Sequence, residues 1–538
     1  MSTLGPLLRL RLRRDRVQLP IWFAAFAALA LLGPTAVTSS FGTVAEREAL
    51  VRIAVGSPTI LIFRGEPQGA GVDALVYFLL FAFLATLVAF MSAFLAVRHT
   101  RTEEETGRAE LIAATPAGRL TPLMATALHG VGASLTAGAA VALGLAVAGL
   151  ETAGSVTAGA AIAGTGIAFL AVGLLAGQIM RTSRGANGLS AAFIGAAYAL
   201  RAAGDAGGTP SEDGLSMSSA WPSWLSPIGW GQQTDPFTAN QPAPLLLDLA
   251  LAAVLFAVVA RLQSNRDIGS SVIGERAGPE HAPRTLGGST GLVWRLQRGA
   301  IVGWALAGLA FGLLAGTLGE TMVELVRSNS QVGAMLARLA GGRGSIIDLF
   351  IAAIFGLVGV IAAAAGTQAM IRARQEEANG SAELLLALPL HRARWLLDYI
   401  FIGAAAIAFV LAAATGGAAI GLTRSADTAD RVSNAVEAAV AQAPAALLIL
   451  SIAALLVAVV PRLSTGLSWG VLLFSVFIGQ FGELFNLPDW VISLSPFSHT
   501  PAVGTDDVDW SGAWWMLVGA LLLCALAVGA IRRRDLAL

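Results

Sequence analysis

The chain has 538 residues, 56% of them apolar and 13% charged, with a mean hydropathy of +0.72. Soluble domains carry roughly 45–50% apolar and about 25% charged residues. The composition therefore excludes a soluble enzyme, a disordered tail and a nucleic-acid binder, and fits a polytopic membrane protein. Basic and acidic residues balance at 34 each, and every basic residue is an arginine. A phosphate-binding loop needs a lysine to reach the nucleotide, so this chain cannot carry one.

In chain order, residues 7–18 alternate leucine with arginine and are expected to lie flat at the inner membrane interface. A bilayer crossing takes about 20 mostly apolar residues. The first half offers such stretches at 19–37, 72–97, 121–149, 156–180, 186–203 and 244–261. Residues 262–292, rich in Gly, Pro and Ser, read as a cytoplasmic linker. The second half offers 299–318, 347–371, 395–422, 439–460, 464–480 and 512–531. Arginine bias orients the chain. Arg9 to Arg16, Arg98, Arg101, Arg119, Arg372, Arg392 and Arg532 to Arg534 share one side, which places both termini in the cytoplasm.

The halves repeat each other. Residues 101–119 (RTEEETGRAELIAATPAGR) align without a gap to 374–392 (RQEEANGSAELLLALPLHR). Ten of these nineteen positions are identical, among them Arg101/Arg374, Glu103/Glu376, Glu104/Glu377, Gly107/Gly380, Glu110/Glu383, Leu111/Leu384 and Arg119/Arg392. Such a composition gives roughly two by chance. Weaker echoes keep the same order. Arg13, Arg16 and Trp22 match Arg295, Arg298 and Trp304; Asp73 matches Asp348; Arg184 matches Arg462; Leu225-Ser226-Pro227 matches Leu494-Ser495-Pro496; Arg266-Asp267 matches Arg534-Asp535. The expected architecture is an all-α polytopic membrane protein. About twelve transmembrane helices would form two parallel six-helix repeats, 1–261 and 293–538.

The repeated segment is expected to form a short charged helix. Thr102-x-x-Glu105 resembles a capping box, and Glu104 and Arg108 are spaced to pair along one face. A charged helix presented once per half suits a cytoplasmic partner with twofold symmetry. Between the fifth and sixth spans, WPSWLSPIGW (221–230) and PDWVISLSPF (488–497) suggest short re-entrant elements at the outer side. Aromatics of the second and fifth spans, namely Phe78, Phe81, Phe90, Phe193, Tyr198, Phe350, Phe355, Trp469, Phe474 and Phe477, are candidates to line an apolar path. Of the ionisable residues only His129 is expected well inside a span, which weighs against a proton- or sodium-coupled carrier. The five histidines show no metal-ligand spacing, and no nucleophile–base pattern marks the chain as an enzyme.

Two six-span halves, a basic amphipathic start to each, and an E-E-x-x-G-x-A-E-L segment after each second span resemble the permeases of bacterial ABC-type exporters. The nearest likeness is to the fused two-repeat permeases of polyketide-antibiotic (tetronasin-type) exporters. The resemblance implies that the repeated segments are coupling helices against two copies of a separate ATPase, which holds the ATP and magnesium. Arg101, Glu103, Glu104, Arg108, Glu110 and Arg119 would meet one copy, and Arg374, Glu376, Glu377, Glu383 and Arg392 the other. The permease itself would carry no cofactor. It implies also an outer gate at Trp221, Trp224 and Trp490, a bacterial cytoplasmic membrane, and a hydrophobic or amphipathic cargo. The alternative is a gradient-driven carrier with parallel repeats.

Overall fold

The computed structural model describes residues 3–273, 280–281, 283, 287–328, 346–424, 427–481, 488–501, 503 and 508–535. Part of the expected linker (274–279, 282 and 284–286) lies outside them. The chain divides into two compact units, Met1–Ala277 and Gly278–Leu538.

In the first unit, α1 (Leu4–Asp15) and α2 (Gln18–Ser40) are separated by a turn at Arg16 and Val17. Pro20 explains the break. It has no N–H to offer the carbonyl of Arg16, and its ring crowds that group. Two short helices, α3 (Val44–Gly56) and α4 (Pro58–Arg64), lead to α5 (Val72–Arg98). Then come α6 (Arg101–Glu105), α7 (Arg108–Ala113), α8 (Thr121–Val147), α9 (Thr152–Ile179) and α10 (Ser183–Ala206). A two-stranded hairpin pairs Thr209 with Ser218 and Pro210 with Met217. A 3-10 turn (Trp221–Leu225), α11 (Pro227–Gln232) and α12 (Leu245–Asn265) complete the unit.

The second unit has α13 (Gly288–Ser328), α14 (Ile346–Ala378), α15 (Ser381–Leu386), α16 (Arg392–Gly421), α17 (Thr428–Val459), α18 (Pro461–Phe481), α19 (Asp489–Ile492) and α20 (Ser511–Arg533). Here the basic start and the first span are one helix, α13, not an interfacial segment followed by a span. Val302 stands where the repeat alignment puts Pro20, so nothing interrupts the helix.

Among the described residues, eleven helices are long and apolar enough to cross a membrane, so the chain is an all-α polytopic membrane protein. The twelfth expected span, 186–203, is helical within α10. That helix (Ser183–Ala206) carries Arg184, Arg201 and Asp205, however, and is not among the eleven.

Small residues set the packing of both units. In the first, a Cβ on Gly138 of α8 would fall 2.3 Å from the Gly159 carbonyl oxygen of α9, and one on Gly159 would fall 2.4 Å from that of Gly138. The two backbones touch there. In the second, Gly308, Gly312 and Gly316 of α13 lie against α16. A Cβ on Gly312 would sit 1.8 Å from the Ala414 carbonyl oxygen, and one on Gly417 would sit 2.2 Å from that of Leu309. The four-residue spacing puts all three α13 glycines on one face.

Candidate functional site

The repeated charged segment becomes a hairpin of helices in both units. Gly107 and Gly380 each take a left-handed conformation (φ 72° and 74°) where the chain turns. A side chain is strained at that φ, which accounts for a glycine in both copies. The turn also overturns two expectations. Thr102 caps nothing; its hydroxyl donates to the Val97 carbonyl at 3.3 Å, and α6 starts after Thr100 without a side-chain cap. Glu104 and Arg108 do not pair, because Gly107 breaks the helix between them.

Glu104 instead accepts from Arg101 at 2.8 Å and from Arg266 at 2.5 Å. Arg101 is 1% exposed and also donates to the carbonyls of Gly177 (2.9 Å) and Ser270 (2.9 Å). The second unit builds the same triad. Glu377 accepts from Arg534 at 2.8 and 3.1 Å, and Arg374 lies 3.4 Å away. The matched Arg266 and Arg534 thus tie the end of each half to its hairpin. Glu103 pairs with Arg14 and lies 3.7 Å from Arg108, while Glu376 is buried with Arg372 at 3.4 Å. Arg119 donates to the Ser264 carbonyl at 2.8 Å, and Arg392 to that of Arg534. Arg101, Glu104, Glu376 and Glu377, expected to face a partner, therefore lie inside and fix the hairpin.

The groups that project are others. Arg108, Glu110 and Leu111 on α7 are exposed, and so are Glu383 and Leu384 on α15. Leu111 is 72% exposed and Leu384 is 77% exposed, at matched positions. Sequence reading treated this pair only as an identity. Its signal is an apolar residue at the same place in a charged stretch of each half.

The basic start of the first unit is docked on its neighbours through Asp15. Asp15, 2% exposed, accepts from the Nε2 of His99 at 2.6 Å and of His129 at 2.8 Å on one oxygen, while Arg98 reaches the other at 2.9 Å. A carboxylate only accepts, so both imidazoles present N–H at Nε2. Burial pushes the Asp15 carboxyl up. The hydrogen bonds from His129 and His99 and the nearby charges outweigh it and hold the group well below the usual carboxylate range. The three side chains are close enough to hold a metal ion. With Arg98 and Arg11 beside them, the charge environment favours the hydrogen-bonded triad. Chain spacing hid this cluster, because its members lie on α1, at the turn after α5 and on α8. In the second unit the tie is reversed: Asp398 of α16 accepts from Thr290 of α13 at 2.6 Å.

The outer segments share a device. In each Leu-Ser-Pro, the serine hydroxyl donates to a backbone carbonyl of the helix at the fifth expected span of its half, α10 or α18. Ser226 reaches Ala197 at 2.7 Å, and Ser495 reaches Ser475 at 2.7 Å. Trp221, Trp224 and Trp490 are exposed, and the Trp224 carbonyl accepts from Trp230 Nε1 at 2.6 Å. Beside this segment, the Ser219 hydroxyl lies between Glu66 Oε2 and Asp205 Oδ1. Its single proton cannot serve two carboxylates. Burial, with Asp205 and Asp235 nearby, pushes Glu66 up to about 7 despite its bonds from Ser219, and burial raises Asp205 as well.

Of the path candidates, Phe78, Phe81 and Phe355 are buried in helix packing; Phe81 stacks on Tyr77 with centroids 4.7 Å apart. The cavity beside Phe81 has about 10 Å³, room for one water. Phe90, Tyr198, Phe350 and Trp469 are half-buried, whereas Phe193, Phe474 and Phe477 are exposed. His129 is not the sole buried ionisable residue in a helix core. Arg201 and Asp205 pair at 2.8 Å in α10 with neither exposed. Asp248 of α12 is fully buried, and neither of its carboxyl oxygens has a hydrogen-bond partner among the described residues.

Residues 286–532 match the family described as the C-terminal domain of the multidrug efflux system permease Rv1217c. The multidrug efflux system permease protein Rv1217c of Mycobacterium tuberculosis (strain ATCC 25618 / H37Rv) is 35% identical over 537 residues, covering 99% of this chain and 95% of the relative. These names speak of multidrug efflux and not of polyketide-antibiotic export. On identity and coverage alike, the chain belongs to the family of multidrug efflux system permeases that Rv1217c represents.

Proposed function

We propose that this protein is the membrane permease of an ATP-driven exporter, moving hydrophobic or amphipathic compounds out of a bacterial cell. A separate ATPase, present twice, binds ATP and magnesium and docks on the two hairpins. Both termini face the cytoplasm. The observation that carries this reading is the matched pair Leu111 and Leu384, each well exposed beside Glu110 or Glu383. An apolar side chain held in water at the same place in both halves has no role in packing its own unit. It suits a partner that buries it. Phe193, Phe474 and Phe477 remain the path candidates with open faces, and Trp221, Trp224 and Trp490 the gate candidates.

The test is affinity purification of the tagged full chain from its native membrane, comparing the wild type with a Leu111→Asp, Leu384→Asp double substitution. A P-loop ATPase at about two copies per permease should accompany the wild type and be lost from the variant. An ATPase that stays bound to the variant would remove these leucines from the interface. The second reading, a gradient-driven carrier, draws support from the unpartnered Asp248. It requires transport that an ionophore abolishes, that Asp248→Asn abolishes, and that proceeds with no ATPase present.

A further inference from the structure

Next to the first hairpin lies a cavity of about 320 Å³, within the range of small-molecule sites. Its wall carries Arg11, Arg119 and Arg266 against Glu103 and Glu104, so cations outnumber carboxylates three to two. The rest is largely apolar, with Ile112, Leu123 and Ile268 contributing. Both carboxylates already have cations, Glu103 with Arg14 and Glu104 with Arg101 and Arg266. Arg119 donates to Ser264.

Arg11 differs. It is 6% exposed, its Nη2 reaches only the His99 carbonyl at 3.5 Å, and its Nη1 has no hydrogen-bond partner among the described residues. Arg266 Nε is also without one. Burial lowers the Arg11 guanidinium to about 10, which leaves it charged at neutral pH. Glu103 and Asp15 are near enough to favour its charge, but no described residue bonds its Nη1; a buried donor left unbonded is unfavourable, and an anion in the cavity would relieve it. The second unit has no arginine at the matched position. The repeat alignment puts Val293 at this position, where it is 2% exposed and packs in the apolar core. Docking the start of a half therefore does not require an arginine here.

We propose that this cavity binds an anionic amphiphile, with a carboxylate or phosphate head on Arg11 and an apolar portion against Ile112, Leu123 and Ile268. Its central arginine has no counterpart at the matched position of the second half, which is Val293. The site does not depend on the ATPase reading, but its occupant touches the hairpin from within and would stiffen it. Two sources share this chemistry, an anionic membrane lipid and a free fatty acid.

The experiment follows thermal unfolding of the full-length protein, purified in neutral detergent and titrated with phosphatidylglycerol, oleate, inorganic phosphate or zwitterionic phosphatidylcholine. Phosphatidylglycerol or oleate should raise the midpoint by several degrees in the wild type, saturably, and should do so in neither Arg11→Gln nor Ala109→Trp. The second variant keeps Arg11 and fills the cavity, so it decides the matter if the first does not fold. A shift with phosphatidylglycerol assigns a membrane lipid, and one with oleate alone a free amphiphile. The proposal falls if phosphatidylcholine or inorganic phosphate matches the anionic amphiphiles, if no anionic amphiphile shifts the midpoint, or if the shift survives Ala109→Trp.

Discussion

Single buried polar residues hold the first unit's ends in place, and each gives a measurable expectation. Asp15 is the acceptor for two histidines and faces Arg98. Removing one member of a buried charged cluster leaves the others uncompensated. Asp15→Asn should cost roughly 3 kcal/mol of stability and free α1, seen as a lower melting midpoint and new protease cleavage near Arg16. An unchanged midpoint would mean that α1 is held by its apolar face. Glu66 gives a pH dependence. Its carboxyl lies at about 7 in the folded protein against an ordinary 4.5, so the folded state binds the proton more tightly than the unfolded one. That stability is fully present below about 4.5 and is lost as pH rises toward about 7. Glu66→Gln should flatten the melting midpoint over this window. An equal slope in the variant would place the titration elsewhere.

At the scale of elements, the glycine faces decide which helices approach. In α13, Gly312 meets the Ala414 carbonyl, whereas Gly303 has nothing within 4 Å of its would-be Cβ. Gly312→Leu should force α13 from α16 and destabilise by about 3 kcal/mol or more, beyond ordinary overpacking. Gly303→Leu should stay within about 0.5 kcal/mol. Paired melting curves in one detergent would show it, and equal midpoints would refute the seam. The hairpins separate internal from external residues in the same way. Glu104 and Glu377 clamp their hairpins to Arg266 and Arg534, and Leu111 and Leu384 project.

For the molecule as a whole, that separation splits two kinds of defect. Glu377→Gln should loosen the second hairpin and lower the melting midpoint of the purified permease. Leu384→Asp should leave the midpoint unchanged and weaken only the association with the proposed ATPase. A lowered midpoint in both variants would make Leu384 part of the fold. Because the halves are duplicated but not identical, single substitutions at matched positions should differ in effect. In the repeat alignment Arg108 corresponds to Ser381, and the buried Arg11 to Val293. The His99–His129–Asp15 cluster gives way to the Thr290–Asp398 tie.

The sequence by itself determined the class, the duplication and most spans, because hydropathy over about 20 residues and ten identities in nineteen are local signals. It also marked Gly107, Gly380 and the paired Leu-Ser-Pro, where one backbone turn or cap demands the same residue twice. It misjudged Glu104 and Arg108 because a helical pairing rule holds only while the helix continues, and Gly107 ends it. It passed over Asp248, which lies near the start of the expected span 244–261. Tertiary structure alone decided which charges are internal. Arg101 is buried because Gly177 and Ser270, distant in the chain, bring carbonyls to it. Burial and pairing arise from contacts between helices, and no periodicity along one helix encodes the neighbour it will meet.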